Sequence, residues 1–123
     1  MSVASHVAII AIGMSLNSAL AAAEKSAQGI DLARACRNEA PAADQALCRG
    51  FLDGFTYGSQ IAVGSEFIGQ WRYGTQKWCF PRDVGHEQVR QTLLDFAQKN
   101  TGMLHFPAAV VLANALATAY PCT

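Results

Sequence analysis

The sequence has no block of like charge. Nine Lys and Arg residues balance nine Asp and Glu residues over 123 positions, so the formal net charge is zero. All of these charges lie between Glu24 and Lys99. Proteins bind a phosphate backbone or an anionic bilayer through grouped Lys and Arg side chains. The sequence therefore predicts no nucleic-acid binding and no electrostatic attachment to a membrane.

Patterns typical of metal, haem or thiol chemistry are also missing. No Cys-x-x-Cys pair, no Cys-x-x-Cys-His motif and no two histidines four residues apart occur. We therefore expect no metal site and no cofactor. Asp53 could serve as a base, but a structural or solvated role, for instance beside Arg49, is the favoured interpretation. We predict no catalytic residue and a protein that is not an enzyme.

The first 23 residues carry no Lys, Arg, Asp or Glu and are nearly all apolar or small. The apolar run 7–16 is too short to span a bilayer comfortably, and small residues follow that suit signal-peptidase cleavage after Ala21 or Ala23. We predict a signal peptide at residues 1–23 and one mature domain at residues 24–123, with no stable membrane insertion after cleavage. Because the n-region has no Lys or Arg, an uncleaved anchor and a misassigned start codon remain alternatives.

The mature domain contains four cysteines, and an even number in a short exported chain indicates disulfides. Three pairings are possible, and two segments that fold back on themselves favour Cys36–Cys48 and Cys79–Cys122. Loop entropy assigns roughly 3 kcal/mol to the shorter loop and roughly 4 kcal/mol to the longer one. These amounts are a large share of the 5–15 kcal/mol that typically stabilises a domain. We expect all four cysteines to be structural.

Apolar spacing predicts four helices, at residues 29–38, 43–69 and 82–99 and from His105 or Pro107 onward. The predicted fold class is all-α, a small antiparallel bundle of about four helices with two disulfides. In the second helix, Leu47, Phe51 and Phe55 form the predicted buried stripe. Glycines at four-residue spacing on another face predict that a second backbone approaches closely, either the small face of the fourth helix or a second subunit. These positions are Gly50, Gly54 and Gly58, with Ala109, Ala113 and Ala117 opposite.

Residues 70–78 collect both tryptophans with tyrosine and arginine and are interpreted as a loop. Trp, Tyr and Arg are the residue types enriched at binding hot spots. For Trp78 a shielding role beside the Cys79 disulfide is favoured, and capping of the core is the alternative role for the first tryptophan. The predicted partner-binding residues are Trp71, Arg72 and Tyr73, with Gln70 and Lys77 at the rim.

Five motifs lie between residues 48 and 122: Cys48-Arg49-Gly50-Phe51-Leu52-Asp53-Gly54, Cys79-Phe80-Pro81, Gln88-Val89, Leu104-His105-Phe106-Pro107-Ala108-Ala109 and Ala115-Leu116-Ala117-Thr118-Ala119-Tyr120-Pro121-Cys122. Together these motifs resemble the Rap/Tai family of type VI secretion amidase immunity proteins, over about residues 36–122. One departure is Tyr57, where similar proteins usually carry an acidic residue. The resemblance implies a helical bundle with disulfides, often dimeric, that resides in the periplasm and inhibits a peptidoglycan amidase effector.

Two other classes of function remain open. A periplasmic stress chaperone would expose apolar surface as its carboxylates protonate, and it would suppress aggregation of a client protein at low pH. A redox-active thiol protein would need a free thiolate, so a count of accessible thiols separates it from an inhibitor that acts through its shape.

Overall fold

A computed structural model describes residues 27–63, 70–81 and 84–123. The predicted signal peptide lies outside these residues. None of the described helices is both long and apolar enough to cross a membrane. The described elements, in chain order, are α1 (Gly29–Ala35), α2 (Ala42–Val63), β1 (Gln70–Tyr73), β2 (Gln76–Cys79), α3 (His86–Lys99), a 3₁₀ turn (Thr101–Met103) and α4 (Ala108–Ala119).

The prediction of an all-α fold is wrong, because residues 70–79 form an antiparallel β-hairpin. Trp71 lies directly opposite Trp78, so the two largest side chains of the segment pair across the strands. Gly74 has a φ of 59°, which glycine tolerates without strain, and it makes a two-residue turn with Thr75. The hairpin lies between α2 and α3 in the chain, where a loop was expected.

Helix α4 is the centre of the fold and contacts α1, α3 and both strands. Its side chains Val111, Leu112 and Leu116 are completely buried. Leu93 of α3 and Trp78 of β2 are also fully buried. Because α4 is apolar over most of its circumference, it needs neighbours on several sides, which the helices and the hairpin supply.

The packing of α1 on α4 leaves no room for a side chain at Gly29. A Cβ atom there would lie 2.5 Å from Cγ2 of Val111. Backbone hydrogen bonds join the same two segments: Gly29 donates to the carbonyl of Phe106 at 2.8 Å, and Ala108 donates to that of Ala27 at 2.9 Å. The start of the described chain is therefore fixed to the start of α4.

The predicted buried stripe of α2 is wrong at Leu47, whereas Phe51 and Phe55 are half-buried and pack against the core. Cys48 and Leu52 are 1% exposed, whereas Leu47 is 59% exposed. The Cys36–Cys48 disulfide explains the difference, because the bonded sulfur must face α1 and this fixes the rotation of the helix.

The prediction of a close backbone approach at the glycines of α2 is wrong within the described residues. No described atom would lie within 4 Å of a Cβ at any of the three positions, so no described segment covers this side of the helix. The three positions are Gly50, Gly54 and Gly58. The alternative, packing against a second subunit, stays a prediction.

Both predicted disulfides are present. Cys36 bonds to Cys48 with Cα atoms 5.1 Å apart, and Cys79 bonds to Cys122 with Cα atoms 5.0 Å apart. The first bridge joins the end of α1 to α2. The second joins the end of β2 to the segment that follows α4. Each bridge therefore links two segments that lie side by side in the fold.

Candidate partner-binding surface

The hairpin is anchored on the body of the protein through Trp78. Its ring stacks on Phe55 of α2, with centroids 5.7 Å apart and planes 11° apart, and meets Phe80 edge to face. An isolated two-stranded hairpin is at best marginally stable in water. Burial of this indole therefore contributes a large part of what holds the hairpin in place.

A second anchor lies at the base of the hairpin. The backbone N–H of Cys79 donates to the carbonyl of Tyr120 at 2.8 Å, beside the disulfide from Cys79 to Cys122. The Phe80 and Tyr120 rings pack edge to face with centroids 5.1 Å apart. Covalent, hydrogen-bonded and aromatic contacts thus fix β2 to the end of the chain.

The strand register divides the predicted partner-binding residues between two faces. Trp71 and Tyr73 share the face of Trp78, while Gln70, Arg72 and Lys77 are on the other face, because side chains alternate along a strand. The structure therefore does not bring the five side chains into one patch.

On the inner face, Trp71 is half-buried and packs edge to face on Phe80 at 4.8 Å. Its indole nitrogen is buried and has no acceptor among the described residues. These contacts favour the alternative role of Trp71, capping of the core, over the role of an exposed contact residue. Tyr73 is 41% exposed, with its ring 5.3 Å from that of Phe55, and so remains accessible near the turn.

On the outer face, Arg72 lies directly opposite Lys77, and both side chains are exposed. Neither forms an ion pair with a described residue. Like charges directly opposite each other destabilise a strand pair, so this arrangement weakens the hairpin when it stands alone. An acidic surface on a partner would remove that repulsion.

A buried arginine is the main electrostatic feature that sequence reasoning missed. Arg90 of α3 is 9% exposed, and its Nη1 donates to the carbonyl of Cys36 at 2.6 Å. Its Nε donates to Glu87 at 2.9 Å, and Nη2 also bonds this carboxylate. The hydrogen bond from Arg90 lowers the pKa of Glu87, and in return raises the pKa of Arg90. The i,i+3 spacing of the two charges was the available sequence signal.

A second polar contact joins α2 to α3. Nδ1 of His86 lies 3.2 Å from Oδ1 of Asp53. The favoured partner of Asp53 was Arg49 on the same helix, so this histidine is a partner that sequence reasoning did not find. The imidazole side chain is only 20% exposed, because it sits between the two helices.

The described residues contain no group of three His, Cys, Asp or Glu side chains placed to hold a metal ion. All four cysteines lie in this part of the chain and all four are in disulfides. A thiol nucleophile is therefore unavailable while the bridges are intact.

The model of the Rap1a immunity proteins matches residues 28–122 of the chain. This range includes all the described helices and strands and both disulfides. No match was found among curated proteins or among solved structures.

Proposed function

The chain belongs to the family of Rap1a immunity proteins, and from this premise we propose that it inhibits a peptidoglycan amidase effector of a type VI secretion system. Membership confirms the resemblance to the Rap/Tai family. It indicates an immunity protein against a secreted effector, and together with the two disulfides it indicates an extracytoplasmic protein. The amidase, the secretion system and the periplasm are our finer assignments.

The proposed route to the periplasm is the signal peptide at residues 1–23, which leaves residues 24–123 as the mature inhibitor. Two disulfides suit an oxidising compartment. A periplasmic inhibitor would also be in place to meet an effector that attacks the cell wall.

The single observation that carries the proposal is the family match over residues 28–122. The structure adds a physical reason for an inhibitor without chemistry of its own. Its hairpin is fixed at Trp78 and at Cys79, so little conformational entropy remains to be lost on binding. We propose that the hairpin contacts the effector through Arg72, Tyr73 and Lys77, with Gln70 at the rim and Trp71 supporting the strand from below.

The test uses the purified mature chain and the amidases encoded in the same genome, starting with any whose gene lies adjacent. We expect a stable complex with one of them, in which hydrolysis of purified peptidoglycan is lost at stoichiometric amounts. No complex with any of these amidases, together with unchanged hydrolysis, would refute the proposal.

The contact surface is tested separately by the double substitution Arg72→Ala and Lys77→Ala. Loss of two exposed charged contacts should weaken binding of the amidase by roughly tenfold, about 1.4 kcal/mol. Arg34→Ala, which removes an exposed charge on α1 away from the hairpin, is the matched control. Equal affinities for the double variant and the control would place the contact elsewhere.

A further inference from the structure

A polar groove of about 400 Å³ lies where the end of α1, the first turns of α2 and the start of α3 meet. No hairpin residue is among those that line it. The polar side chains around it come from the turn after α1, from α2 and from α3: Arg37, Asn38, Gln45, Arg49, His86, Glu87 and Arg90.

The groove is positively charged although the whole chain is neutral. Three arginines line it, and Glu87, the only carboxylate that described residues contribute to the lining, is bound by Arg90. Arg37 and Arg49 make no side-chain hydrogen bond or ion pair with any residue in the described ranges. Two exposed guanidinium groups therefore remain available to a ligand.

The walls of the groove are held in place before any ligand arrives. Its floor is the Cys36–Cys48 disulfide, whose two residues are each 1% exposed. Arg90 is fixed to the Cys36 carbonyl. On the opposite wall, Nε2 of Gln45 donates to the carbonyls of Asn38 at 2.9 Å and Ala40 at 2.7 Å, which secures the turn after Arg37. Binding would therefore order only the exposed ends of side chains.

The side chains that line the groove favour some kinds of anion over others. Guanidinium groups bind carboxylates through paired N–H donors. The Glu87 carboxylate remains 71% exposed at the edge of the groove, where it can accept a hydrogen bond from a peptide N–H. A ligand that offers both carboxylates and amide N–H groups fits this combination of charges.

We propose that this groove binds an acidic peptide segment of a partner protein, with Arg37 and Arg49 contacting its carboxylates. It is a second contact surface, separate from the hairpin. If the partner is the effector, that identity rests on the proposed function, but recognition of carboxylates does not and is tested without any effector.

The probe is a fluorescein-labelled peptide with three consecutive glutamates, and the same peptide with glutamines in their place is the ligand control. Fluorescence anisotropy should show saturable binding of the glutamate peptide that weakens as salt is added, and no binding of the glutamine peptide. The double substitution Arg37→Ala and Arg49→Ala should weaken binding at least about tenfold, since each removes a charge-assisted hydrogen-bond donor set.

Arg34→Ala is again the matched control, because this exposed arginine lies on α1 and does not line the groove. Its affinity for the glutamate peptide should stay within about twofold of the unaltered protein. Equal unfolding temperatures of all variants would show that the substitutions leave the fold intact. Absence of peptide binding, or equal weakening by Arg34→Ala, would overturn the proposal. Displacement of the peptide by inorganic phosphate at matched concentration would also overturn it, since the groove would then be a general oxyanion site.

Discussion

Replacement of glycine by alanine should have opposite effects on stability at two positions of this fold. Gly29 begins α1 against the buried centre of the protein, whereas Gly54 lies in the middle of α2 on its open side. The two substitutions add the same methyl group to a helical glycine. Any difference between them therefore reports the surroundings of the added atom.

At Gly29 the added Cβ would lie 2.5 Å from Cγ2 of Val111 and 3.0 Å from its Cβ. Val111 is 0% exposed, so its β-branched side chain has no free space into which it can turn. Overpacking of this kind costs about 1–3 kcal/mol. The gain in helix propensity is below about 1 kcal/mol, so Gly29→Ala should destabilise the protein by about 1–2 kcal/mol.

At Gly54 the added Cβ would meet no atom of the described residues within 4 Å. Only the backbone effect remains, and alanine is favoured over glycine inside a helix by about 0.5–1 kcal/mol. The variant should therefore unfold at a temperature several degrees higher, since about 1 kcal/mol corresponds to about 4–8 °C in a domain of this size.

Thermal and urea unfolding followed by circular dichroism, with the disulfides intact, measures both effects. In a double-mutant cycle, Gly29→Ala should cost less in a Val111→Ala background than in the unaltered protein, because the contacting methyl groups are then absent. A stabilising Gly29→Ala would refute the close packing of α1 on α4. A destabilising Gly54→Ala, more so at high protein concentration, would show that a second subunit covers this side of α2.

Three further variants test one of the bridges, the core and the charges. Replacing Cys79 and Cys122 by alanine opens a loop with a sequence separation of 43 and should cost about 4 kcal/mol in urea unfolding; a loss below about 1 kcal/mol would contradict this. Trp78→Ala should cost about 3–5 kcal/mol, because the side chain is wholly buried, and an unchanged unfolding midpoint would refute that assignment. The bond to Arg90 lowers the pKa of Glu87 below its ordinary 4.5, so its contribution to stability is complete above pH 4.5 and is lost as pH falls through the lowered value. Glu87→Gln should flatten that part of the curve of stability against pH, and an unchanged curve would contradict it.

The helices could be predicted because apolar residues at helical spacing are a local signal. Their ends were less well predicted: α3 begins at His86, after the N-cap Gly85, and not at residue 82. The disulfide pairing could be favoured because each pair of cysteines brackets a segment that folds back on itself.

The hairpin could not be predicted with the same rules. Each strand has four residues, and the exposed face carries Arg72 and Lys77, so no long alternation of apolar and polar side chains marks it. The pairing is decided by tertiary contacts, mainly burial of Trp78 against Phe55. One sequence signal for the hairpin turn was present, a glycine between two aromatic residues in Tyr73-Gly74-Thr75-Gln76-Lys77-Trp78. It was interpreted as part of a loop.

The face of the hairpin on which each predicted partner-binding residue lies could not be predicted, for the same reason. Residues 70–77 were chosen by type, but type does not determine the face on which a side chain lies. One residue of shift in register would exchange Trp71 with Arg72 at the surface. The spacing of Arg90 and Glu87 indicates their ion pair, but the burial of Arg90 could not be predicted, because its acceptor on Cys36 is 54 residues away in the sequence.

Each proposed contact surface is built directly on a disulfide. The Cys36–Cys48 bridge forms the floor of the polar groove, and the Cys79–Cys122 bridge holds the base of the hairpin. A small domain gains stability from a bridge wherever it closes a loop, so stability alone does not require bridges under these surfaces. Rigid binding does require them, because a mobile hairpin or groove would lose entropy when a partner orders it. Opening either bridge should therefore weaken the binding at its own surface more than at the other, even in protein that remains folded.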